Sequence, residues 1–210
     1  MNLSGTINVF KLFYQPTLCL PHHTISSFNQ LPIPLSTAFA RQGGKPADIR
    51  AVILDKDNCF ATPRADHVYE PYHAKFEELK RAYPGSRLLI VSNTAGTRSD
   101  PGYAQAEVLE KNTGVPVLRH SVKKPGCRAE VLSYFRNRPD LDITSPSQIA
   151  VVGDRLFTDV MMANMMGSHA VWIRDGVVED PSIFCRLEKG LAKFLTQRGY
   201  EAPSVRSYFE

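Results

Sequence analysis

Two carboxylates stand two positions apart at the end of an apolar run, Ala51-Val52-Ile53-Leu54-Asp55-Lys56-Asp57-Asn58-Cys59. A strand buried on both faces reads as a continuous apolar run. In an open α/β sheet the ligand sits beyond the carboxyl ends of such strands, so Asp55 and Asp57 fall where chemistry is expected. Acids this close repel each other, and a divalent cation relieves the repulsion. One can attack an electrophile while its neighbour handles the proton. Alone, the pattern also fits a turn with two solvated acids.

Three further apolar runs end in reactive residue types. Arg87–Val91 leads into Ser92-Asn93-Thr94, Val115–Leu118 into Arg119-His120 and Lys123-Lys124-Pro125, and Gln148–Val152 into Gly153-Asp154-Arg155-Leu156-Phe157-Thr158-Asp159. The segments between them have to place these ends. A helix over about 71–83 carries Pro71 in its first turn, one over about 102–113 closes at Gly114, and one spans about 126–137. A helix to about 166 stops at Gly167, and Ala170–Ile173 makes a fifth strand. The tail from 181 reads as a helix with an apolar stripe of Ile183, Leu187, Leu191 and Leu195. Strand alternating with helix predicts an α/β fold: a doubly wound, Rossmann-like parallel sheet of about five strands with helices on both faces. The polar ends then converge on one crevice.

The remaining sequence bounds the function. The 210 residues suit one well-buried domain. Cys19, Cys59, Cys127 and Cys185 show no paired spacing and read as reduced thiols of an intracellular protein. Residues 1–47 hold Lys11, Arg41 and Lys45 and no acid, whereas the rest of the chain is nearly neutral, which gives nucleic acid little to bind. An acid-free start is one feature of mitochondrial targeting and also suits an anionic membrane surface. Met1–Tyr14 has helical apolar spacing, and Pro16 would end that helix. It reads as a helix packed on its own domain or on another subunit, or as one lying in a membrane surface. Residues 15–47, rich in proline, read as an extended connector, so the boundary is expected at 47/48, with the candidate reactive residues all in 48–210. The insert Ala40–Lys45 has no assigned role.

Asp55-x-Asp57, Ser92, Lys124 and Gly153-Asp154 with Asp159 together resemble the haloacid dehalogenase superfamily of phosphohydrolases over roughly residues 50–175. The resemblance implies an Asp55 nucleophile that forms an aspartyl-phosphate, and Asp57 as acid and then base, which calls for a raised pKa. It implies Ser92 and the Asn93 backbone on the phosphoryl oxygens, and Lys124, favoured over Lys123 because the family lysine commonly precedes a proline. Mg²⁺ would take the Asp55 carboxylate, the Asp57 carbonyl and Asp154, with Asp159 behind them. Asp159 also fits a helix-capping aspartate. The gaps Asp57–Ser92 and Ser92–Lys124 each hold one helix and its loops, too little for a separate cap domain, so the site should be open to a macromolecule or membrane unless a neighbouring subunit closes it.

At finer grain, Leu54-Asp55-Lys56-Asp57-Asn58-Cys59, Ile90–Gly96, Val117–Ser121, Lys123–Cys127 and Gly153–Asp159 resemble the fungal mitochondrial phosphatidylglycerophosphate phosphatases. That resemblance implies removal of the terminal phosphate of phosphatidylglycerophosphate, for cardiolipin synthesis, peripherally on the matrix side of the mitochondrial inner membrane. Arg119, His120, Lys123 and Arg155 are then candidates for the second phosphate and headgroup, or are ordinary structural bases. A homo-oligomer is compatible with the apolar start. A soluble phosphatase of small esters and a phospho-accepting signalling module are the alternatives.

Overall fold

The computed structural model describes residues 8–39 and 46–209. Residues 1–7 of the expected Met1–Tyr14 helix and the Ala40–Lys45 insert lie outside them. Five parallel strands form one sheet: β1 (His23–Ile25), β2 (Ala51–Leu54), β3 (Leu88–Ile90), β4 (Ile149–Gly153) and β5 (His169–Ile173), in spatial order β1-β5-β4-β2-β3. The helices are α1 (His73–Ala82), α2 (Ala104–Thr113), α3 (Arg128–Arg136), α4 (Met161–Met166) and α5 (Ile183–Gln197).

The continuous apolar runs are explained by two cores, one on each face of the sheet. Strand residues alternate in direction. Val52, Leu54, Leu88, Ile90 and Val152 therefore pack with Phe76 and Leu79 of α1 and Leu109 of α2. Ala51, Ile53, Leu89, Val151 and Trp172 pack with Phe135 of α3, Met162 of α4 and Leu195 of α5. Each fully buried Leu or Phe contributes roughly 1.5–3 kcal/mol. This is the expected doubly wound α/β fold, and its carboxyl strand ends lie together because every strand runs the same way.

Three expectations need correction. Val115–Leu118 is not a full strand: only Val117 bridges to Ile90. The fifth strand comes instead from the proline-rich segment, where His23–Ile25 pairs with Val171–Ile173 at the sheet edge. That segment is not a bare connector, since Phe28, Leu31 and Leu35 are fully buried in the first core. The strand and these side chains place residues 23–35 on the same core as the strands that follow position 47. Third, the apolar stripe of α5 is divided: Ile183 and Leu187 are 74% and 58% exposed, whereas Leu195 is buried with Cys185, Glu188 and Ala192, and Leu191 packs against the second core. Earlier in the chain, Asn8 and Val9 are helical and Phe10–Phe13 form a 3₁₀ turn, with Phe10, Phe13 and Tyr14 exposed.

Candidate active site

Asp55 follows the last residue of β2, and its backbone N–H still bonds the Val152 carbonyl of β4 at 2.9 Å. The position of Asp55 is thus fixed by the sheet. Its buried carboxylate binds the Nζ of Lys124, which also lies 2.7 Å from Oδ1 of Asp159. Lys124 arrives from the loop before α3. Its backbone N–H donates to Oδ1 of Asn93 at 2.7 Å, tying that loop to the end of β3. Gly153 ends β4 beside Asp159, where an added Cβ would lie 2.4 Å from the Asp159 side chain. Only glycine lets the first turn after β4, a π-helical turn over Leu156–Val160, swing Asp159 in behind the site.

Ligand oxygens of Asp55, Asp154 and Asp159 lie within 4.8 Å of one another. Burial drives the Asp55 carboxyl up to about 7; Lys124 opposes the rise, and Asp159 and Asp57 reinforce it. Asp154 is raised by burial first and then by Asp55 and Asp159. Burial alone would lower Lys124, but Asp159 and Asp55 hold it above the ordinary lysine range. Three acids thus share one lysine, with Arg155 a lesser aid to Asp154, so ionising all three would leave a deficit of positive charge. Oδ1 of Asp154 is buried with no hydrogen-bond partner. An all-oxygen cluster with that charge deficit and an orphaned acceptor fits a hard dication such as Mg²⁺.

Asp57 is set apart from this cluster. Its Oδ1 accepts from the Arg64 backbone at 2.7 Å and lies 2.9 Å from Lys56 Nζ, and its Oδ2 accepts from Thr94 Oγ1 at 2.9 Å. Burial works upward on this carboxyl, but those three partners hold it below the ordinary carboxylate range. The raised carboxyl expected at Asp57 is found at Asp55 instead, through burial first and then Asp159 and Asp57.

The other anticipated residues divide into two groups. Asn93 and Arg155 join Asp55, Asp57, Lys124 and Asp154 around a cavity of about 580 Å³. Arg155 is held there by Glu188 of α5 at 3.0 Å and Asp180 at 3.2 Å. Ser92 is fully buried, its Oγ accepting from Thr94 N at 3.1 Å. His120 is buried, its ring bonded to the Ser92 and Val122 carbonyls at 2.9 and 2.8 Å, so it positions the Ser92 loop. Arg119 is bound by both oxygens of Glu110 on α2, away from the cavity lining, as a structural base would be. Lys123 is half-buried and outside that lining. A larger hollow of about 890 Å³, lined among others by His22, Phe39 and His169, lies at the amino-terminal start of β5 and holds none of these acids.

Two site residues escaped the sequence reading. Lys56 is 1% exposed and spans Asp57 and the Ala65 carbonyl, both at 2.9 Å, although a lysine between two aspartates signals only exposure. Asn58 sits at φ 61°, a left-handed conformation that asparagine tolerates. Its Oδ1 accepts from Val177 and Val178 N–H at 3.0 and 2.8 Å, and its Nδ2 donates to Asp154 at 3.3 Å. Gly176 makes room for it, since a Cβ there would lie 2.3 Å from Asn58 Nδ2. Asn58 is thus a latch from the Asp55–Asp57 loop to the cavity's far wall.

Residues 3–178 match the family described as mitochondrial PGP phosphatase. The chain is 51% identical over 196 residues to the mitochondrial phosphatidylglycerophosphatase GEP4 of Saccharomyces cerevisiae, covering 93% of this chain and 99% of that protein. It is 34% identical to a probable mitochondrial phosphatidylglycerophosphatase of Schizosaccharomyces pombe, over 95% and 96% of the two chains. It is 33% identical to the chloroplastic/mitochondrial phosphatidylglycerophosphate phosphatase 1 of Arabidopsis thaliana, over 74% of this chain and 44% of that one. A strand-end aspartate paired with a buried lysine, in a chain so similar along its length to these enzymes, makes this protein a phosphatase of the mitochondrial PGP phosphatase family.

Proposed function

We propose that this enzyme removes the terminal phosphate of phosphatidylglycerophosphate to give phosphatidylglycerol, with Asp55 as nucleophile. The observation that carries this reading is the Lys124–Asp55 contact at a strand end, with Asp154 and Asp159 beside it. A carboxylate oxygen of Asp55 attacks phosphorus, and the bond from phosphorus to the glycerol oxygen breaks. Asp57 gives its proton to the departing alkoxide, then takes one from the water that attacks the aspartyl-phosphate. The second attack breaks the bond to Asp55 and releases inorganic phosphate. Asp57 is ionised in the free site; an incoming phosphoryl dianion raises its pKa by like-charge repulsion, so substrate binding favours the acid form. Lys124 stabilises the phosphoryl oxygens and orients Asp55, Ser92 and Asn93 shape the opposite side, and Arg155 faces the headgroup.

Asp55, Asp154 and Asp159 would hold Mg²⁺, with the Asp57 carbonyl. When bound, the ion neutralises charge on the phosphoryl group and lets Asp55 ionise. No helix among the described residues is long and apolar enough to cross a membrane. The exposed Phe10, Phe13 and Tyr14 support peripheral attachment; the matrix side of the mitochondrial inner membrane and a role in cardiolipin synthesis are what the family resemblance implies. The test is phosphate release from phosphatidylglycerophosphate in mixed micelles, with Mg²⁺ or EDTA, for wild type and Asp55→Asn. Release that needs both the ion and Asp55 is the expected result. Hydrolysis of soluble esters without the lipid would overturn the substrate and keep the chemistry.

A further inference from the structure

Helix α5 has two apolar sides, and the fold uses one. Cys185, Ala192 and Leu195 are buried on the second core. Ile183, Phe184, Leu187 and Phe194 are 74%, 69%, 58% and 49% exposed. At 100° per residue these four lie within one third of the helix circumference, so they form one stripe. Isolated exposed apolar residues are ordinary; a contiguous set of large ones marks an interaction surface.

Charge and position indicate what covers it. Arg186, Lys189 and Lys193 run along one edge of the stripe, Lys189 near Asp175 and Asp180 of the preceding loop, and the helix's one acid, Glu188, is buried against Arg155. Every charge that α5 itself exposes is therefore basic. The stripe also begins at the mouth of the site: Val178, Asp180 and Pro181 line the catalytic cavity, Val178 is 45% exposed, and Ile183 follows two residues after Pro181. An apolar stripe with a basic edge is the pattern of a helix lying in an anionic lipid interface.

We infer that α5 is a membrane-docking surface, inserting Ile183, Phe184 and Leu187 among the acyl chains of an anionic phospholipid bilayer so that the catalytic cavity opens at headgroup level. The inference rests on the lipid-phosphatase reading and adds to it a surface and an orientation. It also explains an exposed apolar stripe that neither the core nor the chemistry uses.

The test is co-flotation of the full chain with vesicles of phosphatidylcholine alone or with about one third phosphatidylglycerol. The variants are Ile183→Ser/Leu187→Ser and Arg186→Glu/Lys193→Glu. All four side chains are exposed, so folding is preserved, and hydrolysis of a soluble aryl phosphate should match wild type. The serine pair should lose at least tenfold in partition to the anionic vesicles, and the glutamate pair should lose its preference for anionic over neutral vesicles. Lipid phosphate release from vesicles should fall in parallel while aryl phosphate turnover does not. Unchanged partition of the serine pair would overturn the inference. So would a change of oligomeric state in sedimentation without a change in partition, which would make the face a contact between copies. Vesicle binding lost in the variants, with no lipid hydrolysis even by wild type, would leave the docking surface standing and overturn the substrate instead.

Discussion

Lys124 Nζ lies 2.7 Å from Oδ1 of Asp159 and binds Asp55 at the same time, so one buried base serves two buried acids with a third, Asp154, beside them. The two partners of the catalytic ion pair should then behave oppositely on removal. Lys124→Met leaves three crowded carboxylates without a cation and should cost about 3–5 kcal/mol of stability, along with nearly all activity. Asp55→Asn removes one of the crowded acids; it should abolish turnover yet leave the urea midpoint unchanged or raise it. Equilibrium unfolding in EDTA measures both.

Mg²⁺ should stabilise the wild type, because it binds the folded cluster and not the unfolded chain. At a hundredfold excess over Kd the gain is about 2.7 kcal/mol, a rise of roughly 5–10 °C in Tm. Asp154→Asn should abolish the rise, since it removes an orphaned ligand oxygen while its backbone carbonyl still accepts the Trp172 Nε1–H bond at 2.9 Å. Differential scanning fluorimetry with and without the ion reads this directly.

Asn58 should matter for both stability and substrate binding. Asn58→Ala loses two acceptor contacts to the Val177–Val178 backbone and puts alanine at φ 61°. A cost of about 2 kcal/mol follows, of which roughly 1 comes from the backbone conformation. Asn58→Gly should recover that backbone share and no more. Both variants should raise KM several-fold, since the latch holds the cavity wall that carries Val178 and Asp180.

His169 sets an acid limit far from the chemistry. Burial first, and then the neighbouring His22, lower its pKa from 6.5 to about 4. Its ring packs against Phe39 at 4.3 Å and His22 at 5.4 Å, in a hollow that Asp48 and Glu201 also line. The folded state favours the neutral ring, so between about pH 4 and 6.5 the unfolded chain binds more protons. Stability from this residue is complete above pH 6.5 and is lost as pH falls towards 4, by at most about 3 kcal/mol. His169→Gln should flatten the pH dependence of the urea midpoint in that window.

The strand ends were legible because continuous apolar runs closing in Asp, Ser, Lys or Gly-Asp combine burial with chemistry in a few residues. What was not legible has particular causes. His23-Thr24-Ile25 is three residues long among prolines, and it is a strand because β5 offers it a partner, which no local pattern records. Val115–Leu118 has strand-like residues, but Pro116 has no N–H to donate and only Val117 bridges. In α5, helical periodicity places apolar residues on a face without telling whether the core or the solvent meets it. At the site, Lys56 and Asn58 act through contacts with residues far along the chain or through backbone conformation. Neither leaves a mark in residue spacing.

The edge position of β1 has a consequence for assembly. His23 pairs with Val171, so a strand near the start of the chain waits for one that emerges close to the end. Long-range pairings of this kind slow folding, because loop closure must precede the contacts that reward it. The sheet therefore cannot be completed in the order of synthesis. Until β5 is released, the backbone of residues 23–25 has no partner strand, and this short stretch is where a chaperone or an early misassembly would find the chain.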